Sequence, residues 1–185
     1  AGNTPVGTYV EFPYNITDGV YTHDNIFNAI VGIINEDYET GDFSNYTWVN
    51  DPVYPWVIDN INIYEGIHSS KSGDGLPDGE VSHLNINVDV TADGDISFFK
   101  FVSSEAYDYL QFYIDNNKQG EWSGIDSAWS FVSFPVTVGN HDFEWEYDKD
   151  GSVSDGQDCA WIDYIVFPPM YIAPSAVVES KIDFE

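Results

Sequence analysis

The stretch "DKDGSVSDGQDCAWIDYIVFP" (148–168) crowds aspartates, serines and glycines ahead of an abruptly apolar run. Hard divalent cations are held by such oxygens, six to eight of them for calcium. Asp148, Asp150 and Ser152 stand at the first, third and fifth positions of an EF-hand-like loop. Val153 fills the sixth position, where glycine is needed, and Cys159 the twelfth, where a bidentate glutamate is needed. An EF-hand is therefore excluded. Two readings stay open: a looser calcium site that includes Asp150 and Asp158, or a polar turn that hydrogen-bonds its own backbone.

Asp163 lies within the apolar run, and period two places it on the face of Trp161 and Ile165. An unpaired charge there is costly if buried. In a jelly roll the first and last strands lie side by side, which brings Glu39, and with it Asp37, near Asp163. Clustered carboxylates repel unless a cation or a proton sits between them. The expectation is a structural calcium ion (Ca2+) held by Glu39, Asp163 and Asp158, with Asp150 in the adjoining loop. The alternative is a set of solvent-facing acids.

Six tryptophans could stack on sugar rings if exposed beside polar hydroxyl readers. Trp145 and Trp161 alternate within apolar runs and read as core. Trp122, in the turn-like "QGEWSG", and Trp129 are the expected ligand platform. No G-x-S-x-G elbow and no H-E-x-x-H frame surrounds any of the four histidines, so the chain does not read as an enzyme.

These residues sit in 185 residues that are 43% apolar, enough for one packed domain. Aromatics reach 17%, which favours strands. Against 32 acids stand five basic residues, all lysine, for a net charge of −27. Such a field repels nucleic acid and anionic membranes, and without arginine there is no bidentate phosphate grip. No run approaches the ~18 apolar residues of a membrane span. Cys159 is the sole cysteine and reads as a small buried residue.

Short runs separated by turn residues supply the scaffold. "TYVEF" (8–12), "IFNAIVGII" (26–34), "VIDNINI" (57–63), "ISFFKFV" (96–102), "YLQFYID" (109–115), "WSFVSFPVTV" (129–138), "HDFEWEY" (141–147) and "AWIDYIVF" (160–167) read as strands. The "NNKQG" after Asp115 reads as a turn. "LNINVDV" (84–90) alternates cleanly, Leu84, Ile86, Val88 and Val90 inward and Asn85, Asn87 and Asp89 outward. The pattern predicts an all-β fold: an antiparallel two-sheet β-sandwich of jelly-roll type. Residues 34–169 form this sandwich. Residues 1–33 are an N-terminal extension that adds an edge strand or exchanges one with a neighbouring copy. Residues 170–185 are a linker or the opening of a next repeat, since "KIDFE" echoes "NEDYE" (35–39).

Residues 38–168 resemble β-sandwich repeats of large secreted surface proteins of Bacteroidota and other, often marine, bacteria. The resemblance rests on "YETGDFSNYTW" (38–48), "ISFFKFVSSEAYDYLQFYID" (96–115) and "VGNHDFEWEYDKDGSVSDGQDCAWIDYIVFP" (138–168). It implies a jelly roll akin to MAM and concanavalin-like domains. It also implies a non-catalytic module of an extracellular or cell-surface protein, engaged in adhesion or carbohydrate binding, whose partners are glycans or neighbouring surface copies. The alternative is a homopolymeric fibre subunit assembled by N-terminal strand exchange.

Overall fold

A computed structural model of the chain describes residues 34–171 apart from residue 74, together with the backbone of β1 (Thr8–Thr17) and β2 (Thr22–Val31). These two strands pair with each other, from Thr8↔Val31 to Thr17↔Thr22, in a two-stranded sheet of their own. "IFNAIV" thus pairs with residues 8–13, and in the described residues it is not an edge of either sandwich sheet. Of the suggested linker or next repeat (170–185), Met170 bridges Val90 and Tyr171 N donates to Asp89 O (2.9 Å), and the remainder lies outside the described residues.

The rest is built from β3 (Asn35–Glu36), β4 (Val49–Asn50), β5 (Val57–Asp59), β6 (Ser69–Lys71), β7 (Val81–Val90), β8 (Gly94–Ser103), β9 (Tyr109–Ile114), β10 (Asn117–Trp122), β11 (Ser130–Val136), β12 (Gly139–Asp148) and β13 (Cys159–Val166). One sheet runs β10-β9-β12-β7-β4; the other runs β11-β8-β13-β6-β5, with β3 also on β13. Every pairing is antiparallel. The chain is an all-β, two-sheet sandwich. No helix among the described residues is long and apolar enough to cross a membrane.

Alternation builds the interior. Leu84, Ile86, Val88 and Val90 of β7 are buried, and they share the core with Phe98, Phe112, Phe143 and Trp145. Trp145 sits 4.9 Å from Phe112 and 5.4 Å from Phe98, ring centre to ring centre. Aromatic pairs of this kind add to the stabilisation from area burial alone. β11 is an edge strand, which is why Pro135 is tolerated within it.

Three local departures from the sequence pattern matter for the site. β5 stops at Asp59, because its carboxylate accepts the amides of Ile61 (3.1 Å) and Asn62 (3.3 Å) and turns the chain. Residues 60–63, expected as strand, become the start of a loop, and Ile61 is exposed. The "NNKQG" expected as a turn is mostly strand β10; the turn is Asp115-Asn116, both at positive φ (51° and 62°), as a type I′ hairpin requires. In β13 the register with β8 shifts between Asp163 and Val166 at Tyr164, whose φ is +47°. That bulge returns Ile165 to the interior, so it does not share the outward face of Asp163.

Candidate functional site

The outer face of the six-stranded sheet carries the chemistry. In β8, Phe98 and Val102 belong to the core, so Phe99 and Phe101 point outward. Opposite Phe99 lie Phe131 on β11 and Asp163 on β13; opposite Phe101 lies Trp161. Trp161 is buried, as the alternation implied, but beneath the loop after β5 and not in the sandwich interior. Its indole N–H donates to Asp59 (2.6 Å), and its ring meets Phe101 edge-on at 5.7 Å.

Two carboxylates fasten that loop. The amides of Tyr64 and Glu65 donate to Asp163 Oδ2 (2.9 and 3.1 Å), and the amide of Tyr164 donates to Oδ1 (2.7 Å). The amides of Ile67 and His68 donate to Glu39 Oε1 (2.8 and 2.9 Å). Between them, Gly66 holds φ +71°, and a Cβ there would fall 2.3 Å from the Glu39 carboxyl carbon. Burial pushes the Asp163 carboxyl up to about 6, against the lowering effect of its three amide donors.

The loop so held presents Tyr64. Its ring lies on Phe99, centres 3.5 Å apart and planes within 14°, yet Tyr64 is 42% exposed. One ring face is therefore covered by Phe99, while the residue as a whole stays partly open to solvent. Phe131, 58% exposed, lies 5.2 Å from Phe99, and Trp129 lies 6.1 Å from Tyr64 and 5.8 Å from Phe101. The approach to Trp129 is fixed by Asp126, whose Oδ2 accepts from Val102 N and from the buried Lys100 Nζ, both at 2.9 Å. The outcome is a shallow aromatic row with Glu65 exposed at its margin. Flat apolar rings beside carboxylate acceptors suit the C–H face and the hydroxyl edge of a sugar.

Of the two tryptophans expected as a platform, Trp129 joins this row and Trp122 does not. Trp122 closes an end of the interior against Phe98 (6.2 Å) and Phe134 (6.5 Å), with Lys100 Nζ 5.6 Å from its ring. It also covers Gly120, where a Cβ would sit 2.5 Å from the indole. "QGEW" is the end of edge strand β10 and not a turn; only Ser123 and Gly124 lie beyond it.

The four expected calcium ligands are not gathered at one point. Glu39 and Asp163 serve the loop amides. Asp158 precedes β13, so Asp163 stands about five extended residues, ~16 Å, further along. Asp158 instead pairs with Lys149, whose buried ammonium also reaches Asp78 (2.8 Å), Ser154 Oγ (3.2 Å) and the Leu76 carbonyl (3.3 Å). The cation seated in "DKDGSVSDGQD" is the side chain of its own lysine. Asp150 has a carboxylate oxygen within 4.8 Å of those of Glu105 and Asp108, and Asp108 in turn meets Asp158.

Elsewhere, a cleft of about 320 Å³ on the opposite sheet is lined by Tyr46, Asn87, Asp89, Met170 and Tyr171, among others. Near it on the same sheet, His83 meets Glu144 at 2.8 Å and Glu146 at 3.5 Å.

No family model matches the sequence, and no curated protein matches it. Solved structures do. A CBM22 xylan-binding domain from Paenibacillus barcinonensis aligns over 76% of this chain and 95% of its own, at 13% identity and TM-score 0.52. TmCBM61, solved in complex with β-1,4-galactotriose, aligns over 70% and 92%, at 15% identity and TM-score 0.50. A cleaved adhesin domain of Lys-gingipain from Porphyromonas gingivalis aligns over 71% and 95%, at 12% identity and TM-score 0.52. The likeness is one of fold. It places the chain among jelly-roll β-sandwiches.

Tyr64, Phe99 and Phe131 carry nothing in the sequence that sets them apart from the other aromatics as a platform. The alternation of β8 pointed to Phe99 and Phe101 as one face. Nothing in the sequence pointed to Tyr64, which reaches the sheet through the turn made by Asp59.

Proposed function

We propose that the chain is a non-catalytic carbohydrate-binding module displayed outside the cell, and that the row of Phe131, Tyr64 and Trp129 is its sugar-stacking face. The observation that carries the reading is the Tyr64 ring: backed by Phe99, partly exposed, and carried on a loop held by Asp163 and Glu39. A ring pre-placed in this way costs little ordering entropy on binding. The named ligands of two proteins with this fold, xylan and β-1,4-galactotriose, favour a β-linked neutral polysaccharide. The net charge of −27 also selects neutral over anionic glycans. Adhesion is the broader role into which glycan binding fits. The fibre alternative has no comparable support, because β1 and β2 hydrogen-bond to each other.

Affinity electrophoresis in xylan, β-galactan and other neutral polysaccharides, with a glycan array, tests the reading. Retardation by at least one neutral glycan is expected, and Trp129→Ala and Tyr64→Ala should each weaken it about ten-fold. No hit on any neutral glycan would overturn the proposal. Binding that ignores both substitutions would move the site to the cleft of Tyr46 and Tyr171.

A further inference from the structure

We propose that Glu105, Asp108 and Asp150 form a binding site for a hard divalent cation, calcium in preference to magnesium, which ties the loop after β8 to the loop after β12. One carboxylate oxygen from each of the three lies within 4.8 Å of the others. Acidic clusters are common on so negative a surface, but here two of the oxygens are out of water and without partners. Asp108 is fully buried; its Oδ1 accepts the Asp150 amide (2.8 Å), and its Oδ2 has no hydrogen-bond partner. Glu105 Oε1 is likewise buried and unpartnered. Buried carboxylate oxygens left bare are costly, so something must fill the space between them.

The nearby ammonium does not. Lys149 is committed to Asp158, Asp78, Ser154 and the Leu76 carbonyl. The carboxylate of Asp158, which also meets Asp108, is itself held by Lys149 and brings no positive charge to the space. A cation would supply it. The chemistry favours calcium, because the donors are all oxygens and include carboxylates from two separate loops. Calcium also accepts irregular sets of carboxylates, whereas magnesium demands near-ideal octahedra and keeps its waters. The backbone supports the arrangement, since the single O–H of Ser104 lies within reach of the carbonyls of both Asp108 (2.9 Å) and Glu105 (3.1 Å) and folds their loop tightly.

The test uses the full chain, stripped with EGTA at pH 7.5. Thermal melts and titration calorimetry are run with calcium chloride and with magnesium chloride. They compare the native protein with Asp108→Asn, Glu105→Gln and Glu39→Gln. Calcium should raise the melting temperature of the native protein and of Glu39→Gln by several degrees, and magnesium should do so less. Asp108→Asn and Glu105→Gln should lose the response, while Asp108→Asn without calcium melts no lower than the native protein, because it removes a bare buried charge. Identical native melts in EGTA and calcium would overturn the site. So would a calcium response that survives in both Asp108→Asn and Glu105→Gln, or one that vanishes only in Glu39→Gln.

Discussion

Glu39 and Asp163 hold one loop by its amides on either side of Gly66, Asp163 taking those of Tyr64 and Glu65 and Glu39 those of Ile67 and His68. Two acids far apart in sequence thereby set where one aromatic ring lies.

Gly66 is the pivot of this arrangement. Gly66→Ala meets both the +71° backbone and the Glu39 carboxyl, 2.3 Å from the new Cβ. We expect a loss of roughly 1–3 kcal/mol in chemical denaturation, with glycan affinity falling further than either platform substitution alone. An unchanged denaturation midpoint would show that Glu39 is not fixed by this contact.

The two tryptophans separate fold from function. Trp122→Ala should cost about 3 kcal/mol of stability and leave glycan binding intact at temperatures where it is folded. Trp129→Ala should do the reverse. Equal loss of affinity in both would mean that the binding surface extends to the β10 edge.

Lys100 is buried at the foot of the segment leading to Trp129 and holds Asp126 at 2.9 Å. Removing one partner of such a pair leaves the other charge poorly compensated. Lys100→Met should destabilise by about 2–4 kcal/mol. The double change with Asp126→Asn should recover part of the loss, and denaturant titration of the four proteins measures the coupling.

Stability should also follow pH with a defined sign. Asp108 and Asp163, at about 6, keep protons that the unfolded chain has already released. Their contribution is full below pH ~4 and is lost as pH rises through 6. His83, raised by its bond to Glu144, has the same sign and fades as pH rises through its raised pKa. For Asp158, burial opposes ionisation, but Lys149 prevails and holds it below its ordinary value, so its contribution disappears at low pH. In calcium-free buffer the melting temperature should be higher at pH 5 than at pH 7.5 and should fall again below pH ~4. Circular dichroism melts read this directly, and a midpoint that rises from pH 5 to 7.5 contradicts it.

The sandwich was legible because β7 and β12 obey period two with one face buried, so hydrophobicity alone fixes their register. Legibility ended where side chains override alternation: at Asp59, which ends β5 by capping two amides, and at Tyr164, which bulges β13 and parts Ile165 from Asp163. The run "DKDGSVSDGQD" shows its acids in the sequence but not that Lys149 folds in among them. Asp108 was invisible because "SSEAYD" looks like any polar loop until its burial is known.

Tyr64 rides on a connection, not on a strand, and its position depends on hydrogen bonds to main-chain groups that any residue supplies. Sequence change between Asn60 and Ile67 can therefore re-cut the contact surface while leaving the core untouched. Within this architecture, new tastes in ligand can arise by editing one short span, provided Gly66 and its two acidic anchors stay in place.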